Sequence, residues 1–207
     1  MAQLFDAVIG APLMPTPRYN ICPSQNITTV VTAEDGRHLV PMRWGFIPRW
    51  YKAMNDGPML INARGETVAE KPAFRSAVRE RRCLIPASGF YEWTKDEDGA
   101  RLPWYIFPPD HSAFAFAGIW QNWRNDADED IQTCAIVTIE ANQTLSAIHH
   151  RMPVTIAPAD FGLWLGEDGH GAAPLMRPGP EDRFIFYRVD TAVNSNRPDG
   201  PQLIDKL

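Results

Sequence analysis

Apolar and polar residues alternate in short runs along most of this chain, the pattern of half-buried β-strands. Ile27-Thr28-Thr29-Val30-Val31-Thr32 is rich in β-branched residues, and Glu34-Asp35-Gly36-Arg37 supplies a hairpin turn into Leu39-Val40-Pro41-Met42. Further strands are predicted at Cys83–Pro86, Phe90–Thr94, Trp104–Phe107, Phe114–Trp120, Thr133–Ile139 and Phe184–Val189. Asp96-Glu97-Asp98-Gly99 and Pro108-Pro109-Asp110 are the expected hairpin turns between them. Helical spacing is rarer. Residues 2–9 read as the second half of a helix ended by Pro12, Pro15 and Pro17, and Arg18–Pro23 as an extended lead into the first strand. Lys71–Arg82 sets Phe74 and Val78 four apart among Arg75, Arg79, Arg81 and Arg82, an amphipathic basic helix. Ala159–Leu165 predicts a short helix and Gly166–Pro180 a long loop.

At 207 residues, with no linker, low-complexity run or internal repeat, one domain is expected over 1–207. Hydrophobic residues at 44% and charged residues at 22% place the chain among globular proteins. No apolar run approaches the roughly 20 residues of a membrane helix, and the start lacks the order of a secretion signal. A cytoplasmic protein is the expectation. Cys22, Cys83 and Cys134 form no CxxC pair and read as buried free thiols. Glycine-loop nucleotide motifs and HExxH are missing, so no cofactor and no metal are expected. The net charge of −5 counts against nucleic acid, yet residues 1–82 carry +4 and residues 83–207 carry −9. A local basic face is therefore compatible with an acidic chain.

Three segments carry candidate chemistry. Ala147-Ile148-His149-His150-Arg151-Met152-Pro153 places a proton carrier two residues from an anion binder and stiffens the backbone with proline. His149 is the candidate acid–base group, although a lone histidine is more often an ordinary loop or core imidazole; His150, next to it, is expected to point elsewhere. In Gly89-Phe90-Tyr91-Glu92-Trp93 the acid alternates to the face opposite its aromatic neighbours. Apolar walls there would raise its pKa, and a surface glutamate on an amphipathic strand is the plain alternative. In Leu60–Thr67, Asn62 and Arg64 project to one face of an extended segment, an amide for a reactive oxygen and a fork for a phosphate. The plain alternative is a salt-bridged strand end joining Arg64 to Glu66. Trp44, Trp50 and Trp93 offer flat surfaces for unstacked bases or, equally, core filler.

With these segments in hand the chain resembles the SOS response-associated peptidase (SRAP) family. The resemblance rests on Pro17–Pro23, Arg43-Trp44-Gly45-Phe46-Ile47-Pro48, Ile61–Thr67, Arg82–Pro86, Gly89–Trp93, Ile148–Pro153, and Val193-Asn194 with Asp199-Gly200-Pro201, all in family order. It implies an α+β fold: a single domain with a mixed, mainly antiparallel, barrel-like β core, flanking helices and a cleft for kinked single-stranded DNA. It also implies a monomer associated with the nucleoid that shields abasic sites by covalent attachment and processes its own N-terminus. By motif, Asn62, Glu92 and His149 would meet the reactive sugar, Arg64 and Arg151 would hold phosphates, and Trp44 and Trp93 would face bases. The basic segment Lys71–Arg82 would add to the field around the backbone.

The start departs from the family pattern, in which Cys-Gly-Arg follows the initiator methionine, whereas this chain reads Met1-Ala2-Gln3-Leu4-Phe5. In the family the α-amine of that cysteine condenses with the sugar aldehyde and its thiol closes a thiazolidine. Ala2 could supply an amine but no sulfur. The expectation is a sequence begun at an internal methionine, short of roughly a dozen or more residues, to which the capless first helix is the pointer; an inactive relative is the alternative. Cys22 has no free amine and reads as structural. Two rival functions remain open: a non-catalytic single-strand binding module, and a peptidase, for which no Ser/His/Asp signature is visible.

Overall fold

In the computed structural model, which describes residues 2–10, 17–125 and 127–207, short helices are set into a β-rich framework. The chain lays down α1 (Ala2–Phe5), β1 (Ala7–Ile9), β2 (Asn26–Ala33), β3 (Gly36–Trp44), β4 (Asn62–Arg64) and α2 (Ala77–Glu80). Then come β5 (Arg82–Ala87), β6 (Phe90–Lys95), β7 (Arg101–Phe107), β8 (Phe114–Arg124) and β9 (Asp130–Glu140). The last third adds α3 (Gln143–Ser146), β10 (Arg151–Pro153), β11 (Thr155–Ile156), α4 (Phe161–Leu165) and β12 (Ile185–Arg188).

Nine strands form one sheet in the order β1-β3-β2-β5-β8-β9-β10, with β11 on β8 and β4 on β9. A further pairing of β3 with β9 closes β3-β2-β5-β8-β9 into a barrel. Most pairings are antiparallel, and β1, β3 and β4 supply the parallel ones. A second sheet, β12-β7-β6, packs Phe90 edge-on against Phe116 of β8. The fold is thus α+β, one domain with a mixed, barrel-like core and flanking helices, as the family resemblance implies.

The barrel interior is aliphatic and aromatic: Val30, Leu39, Leu84, Ala117, Ile119, Ala135 and Val137 are buried, and Trp164 of α4 closes one side. Its indole N–H donates to the Cys83 carbonyl at 2.9 Å, so the largest buried side chain is also satisfied. A smaller core of Tyr105, Phe107, Val189, Val193 and Leu203 lies on the other face of the second sheet. There Asp199 accepts the backbone N–H groups of Tyr19 and Asn20, which straps Pro17–Pro23 onto the C-terminal loop.

Several elements differ from the sequence reading. The predicted helix over 2–9 stops at Phe5, because Asp6 takes a positive φ of 47° and Ala7–Ile9 turn into a strand parallel to β3. Only Phe5 of that apolar set is buried, stacked on Phe161; Val8 and Ile9 are exposed. Pro17 lies in the described strap, while Pro12 and Pro15, the other residues read as ending that helix, lie outside the described residues. The helix expected over 71–82 is a series of turns ending in α2, with Phe74 and Val78 buried as predicted. Arg82 is turned inward: its guanidinium donates to the carbonyls of Val78, Arg79 and Trp164 and lies over the Trp164 ring. Pro108-Pro109-Asp110 is no hairpin, since β7 and β8 belong to different sheets. The loop after Gly166 holds a 3-10 turn, Ala173–Leu175. No helix among the described residues is long and apolar enough to cross a membrane.

Candidate functional site

Glu92 occupies the middle of β6, paired in register with Trp104 of β7. Tyr91 and Trp93 lie together on the opposite face, with ring centroids 6.4 Å apart, so the alternation read from sequence holds. On its own face Glu92 is only 26% exposed. Desolvation raises its pKa above the usual carboxyl value, and His149, the Trp93 backbone and Arg101 only partly offset that. The group facing it is the His149 ring, with Nδ1 3.7 Å from Glu92 Oε1.

His149 follows α3, whose N-cap Asn142 accepts the Leu145 N–H through its side chain. The backbone continues in a turn, with the N–H groups of Ile148 and His149 both donating to the Leu145 carbonyl. That turn overturns the expectation for His150. Adjacent side chains diverge in a strand, but here the two imidazole centroids lie 4.5 Å apart. The Arg151 backbone N–H lies 3.2 Å from His149 Nδ1, and the Arg151 carbonyl 3.1 Å from it. A neutral ring can accept the first contact at Nδ1; a protonated ring can donate to the second. Both charge states are accommodated without turning the side chain.

Asn62 and Arg64 come from β4, three residues parallel to β9 in the register Asn62↔Ile136 and Arg64↔Thr138. Both are exposed on one face while Ala63 between them is buried, the arrangement expected from alternation. Across β9, Thr138 is paired with Pro153 of β10, so β4 and the strand after His149 flank the same stretch of β9. Asn62 and Arg64 line a shallow cavity of about 430 Å³ with Trp50, Leu60, Thr67, Lys71 and Phe74. Trp50 is 58% exposed beside two cations of this cavity. Trp44 is half-buried, and its indole N–H donates to the Ile61 carbonyl at 3.0 Å, bracing the residue before Asn62.

Arg151 is engaged. Its Nη1 and Nη2 donate to the two Glu66 carboxylate oxygens at 2.6 and 2.9 Å, and Nη2 also donates to the Thr138 carbonyl at 2.7 Å. This fork holds the Glu66 pKa down to about 2. The ion pair drawn from sequence, Arg64 with Glu66, is therefore wrong. β4 ends at Arg64, and the turn that follows swings Glu66 over β9 to Arg151, leaving Arg64 without an ion pair among the described residues. Trp93 extends from the face of β6 opposite Glu92, with Arg101 4.4 Å from its ring centroid and its N–H donated to Asn194 Oδ1 at 2.6 Å.

The cysteines are poorly placed for nucleophilic work. Cys83 and Cys134 are fully buried, and burial pushes the Cys134 thiol up to about 12. Cys22 is half-buried with its pKa also raised, mainly by desolvation. Among the described residues no three His, Cys, Asp or Glu side chains are grouped to hold a metal ion. The structure thus brings Glu92 to His149, and Asn62 to Arg64, with Arg151 linking the two through β9. Sequence reading missed Glu66 as the partner of Arg151, and the one available signal was an acid two residues beyond the predicted fork.

A family model described as SOS response associated peptidase (SRAP) matches residues 2–196. The chain is 37% identical over 192 residues to abasic site processing protein YoqW of Bacillus subtilis, covering 91% of this chain and 86% of that protein. It is 31% identical over 197 residues to abasic site processing protein YedK of Escherichia coli, covering 93% and 86%. A crystal structure of a protein from Bordetella bronchiseptica superposes with a TM-score of 0.79 at 25% identity, covering 92% of this chain and 94% of that one.

Proposed function

Because the chain belongs to the SOS response-associated peptidase family, we propose that it recognises abasic sites in single-stranded DNA, with Asn62, Glu92 and His149 at the open sugar and Arg64 at a flanking phosphate. Arg151, expected from the motif at a phosphate, is instead engaged by Glu66 and Thr138. The observation that carries this reading is the meeting of His149 Nδ1 with Glu92 Oε1 at 3.7 Å, between segments more than fifty residues apart, beside a strand that presents an amide and a guanidinium with no ion pair among the described residues. Abasic site processing relatives at 37% and 31% identity support the choice of lesion.

An abasic sugar in its open form presents an aldehyde, and every step on it moves a proton. Glu92, its carboxyl pKa raised by burial, is the group suited to act as general acid and then as base. His149 exchanges that proton through Nδ1, and Asn62 holds a sugar oxygen by its amide. Trp50, 58% exposed beside Arg64 and Lys71, is the aromatic group open to an unstacked base, whereas Trp44 is half-buried as a brace and Trp93, on the face of β6 opposite Glu92, carries Arg101 over its ring.

In a form whose first residue after methionine removal is cysteine, the α-amine adds to the aldehyde carbon and water leaves as the imine forms. The thiol then adds to the imine carbon, its proton passing to nitrogen, and the thiazolidine ring closes. A gel assay with an abasic-site oligonucleotide tests the assignment: a version carrying Met-Cys-Gly-Arg at its start gives a heat-stable adduct, and the 207-residue sequence does not. Equal stable crosslinking by both would refute it.

A second reading, a non-catalytic single-strand binding module, draws on the three thiols, none of which has a lowered pKa. It predicts that Glu92→Ala leaves function intact. The enzyme reading predicts that turnover is lost while binding survives.

A further inference from the structure

We infer that Glu66 is a positioning residue for His149: its carboxylate clamps the Arg151 guanidinium onto β9, and the clamped Arg151 backbone orients the imidazole against Glu92. The inference rests on the abasic-site reading for its functional consequence, and on geometry alone for the clamp.

The two ends of the clamp come from opposite edges of β9. Glu66 lies two residues beyond β4, and Arg151 is the first residue of β10. Their ion pair crosses the strand at Thr138, whose carbonyl takes a third guanidinium contact. Glu66 Oε1 also accepts the N–H of Glu140, the residue paired in register with Arg151. One carboxylate therefore ties together the turn after β4, the end of β9 and the start of β10.

The imidazole depends on that start. Apart from Glu92 and the neighbouring His150, its polar contacts among the described residues are the Arg151 N–H and carbonyl, both to Nδ1. β10 is only three residues long, so few ladder bonds fix its first residue. The guanidinium is 17% exposed, and its Nε is buried with no partner among the described residues. With Glu66 neutralised, the fork loses its bidentate partner and keeps only Thr138, and a mostly buried cation so placed re-aims toward water. The Arg151 backbone would move with it, and the ring would lose its single orientation. The clamp remains charged throughout the neutral range.

The test uses the intact 207-residue protein as wild type, Glu66→Gln and Arg151→Lys, with nitrogen-15 correlation spectra of the histidine rings. Wild type is expected to show one tautomer at His149 under neutral conditions, and both variants a mixture, with His38 and His111 unchanged. Arg151→Lys keeps the charge but removes the fork, so it decides the matter if Glu66→Gln fails to fold. A single unaltered tautomer in a folded variant overturns the inference. In the Met-Cys-Gly-Arg form, Glu66→Gln should slow crosslinking about tenfold while affinity for an oligonucleotide with a tetrahydrofuran abasic analogue changes less than about twofold. Equal losses in rate and affinity also overturn it. If wild type binds no such oligonucleotide, the functional reading fails, and the ring spectra still decide the role of Glu66.

Discussion

At the scale of single residues, Glu92 carries a cost that can be measured. Folding raises its pKa, chiefly by desolvation, so the native state binds the proton more tightly than the unfolded chain does. Stability from this group is therefore fully present below the ordinary carboxyl value of 4.5 and is lost as pH rises from there through the raised value. Glu92→Gln removes the charge at nearly constant volume. It should raise the melting temperature at pH 7 by about 2–4 °C, the equivalent of about 1 kcal/mol at this chain length, and by much less at pH 4. Thermal unfolding at both pH values checks this, and a variant less stable at both would show that Glu92 is a structural partner. The side chain's face was legible in the alternation of Tyr91, Glu92 and Trp93. Its facing His149 was not, because no local pattern records which turn of a distant segment folds over a strand.

Among the elements, the strands were the legible part, since period-two patterning with β-branched residues survives without tertiary help, and β2, β3, β5, β6, β8 and β9 all fall where that pattern lies. Short pieces were less legible: β4 could be read as an extended segment from its alternation, whereas β10 and β11, three and two residues long, exist because β9 and β8 offer edges to pair with. The segment over 2–9 failed for the converse reason: its helical spacing yields to a parallel edge on β3. Gly118 shows how tightly the central strands approach. It pairs with Cys83 on β5 and Ile136 on β9, and Ile136 in turn pairs with Asn62. A Cβ there would lie 2.7 Å from Cys83 Sγ and 2.9 Å from Ile85 Cδ1. Gly118→Ala should cost about 1–3 kcal/mol in urea denaturation, and Cys83→Ala in the same chain should recover part of it through their shared space. Full stability of the single variant would mean that β5 and β8 can separate without penalty.

For the molecule as a whole, the distribution of charge decides whether an acidic protein can hold a polyanion. Part of the positive excess of residues 1–82 is consumed by acids of the remainder: Arg37 pairs with Glu167 and Arg18 with Asp199. Arg64, Lys71, Arg75 and Arg79 have no ion pair among the described residues and are all exposed. The first two line the cavity with Trp50 and Asn62. This grouping was legible in sequence only as a sum, since +4 over 82 residues does not say which cations share a surface. If they hold a single strand, each phosphate contact releases counterions, and the logarithm of affinity falls with the logarithm of salt by about 0.7 per contact. Arg64→Ala and Lys71→Ala should each flatten that slope by about 0.7 and weaken binding alike for every base sequence. Arg124 is the control: it is exposed and paired with Asp128 and Asp130 at the far end of β8, so Arg124→Ala should leave the slope unchanged. Fluorescence anisotropy across a salt series measures all three. If Arg124→Ala flattens the slope as much as Arg64→Ala, the strand is held by the general field of the protein, and the cavity beside β4 loses its place in the site.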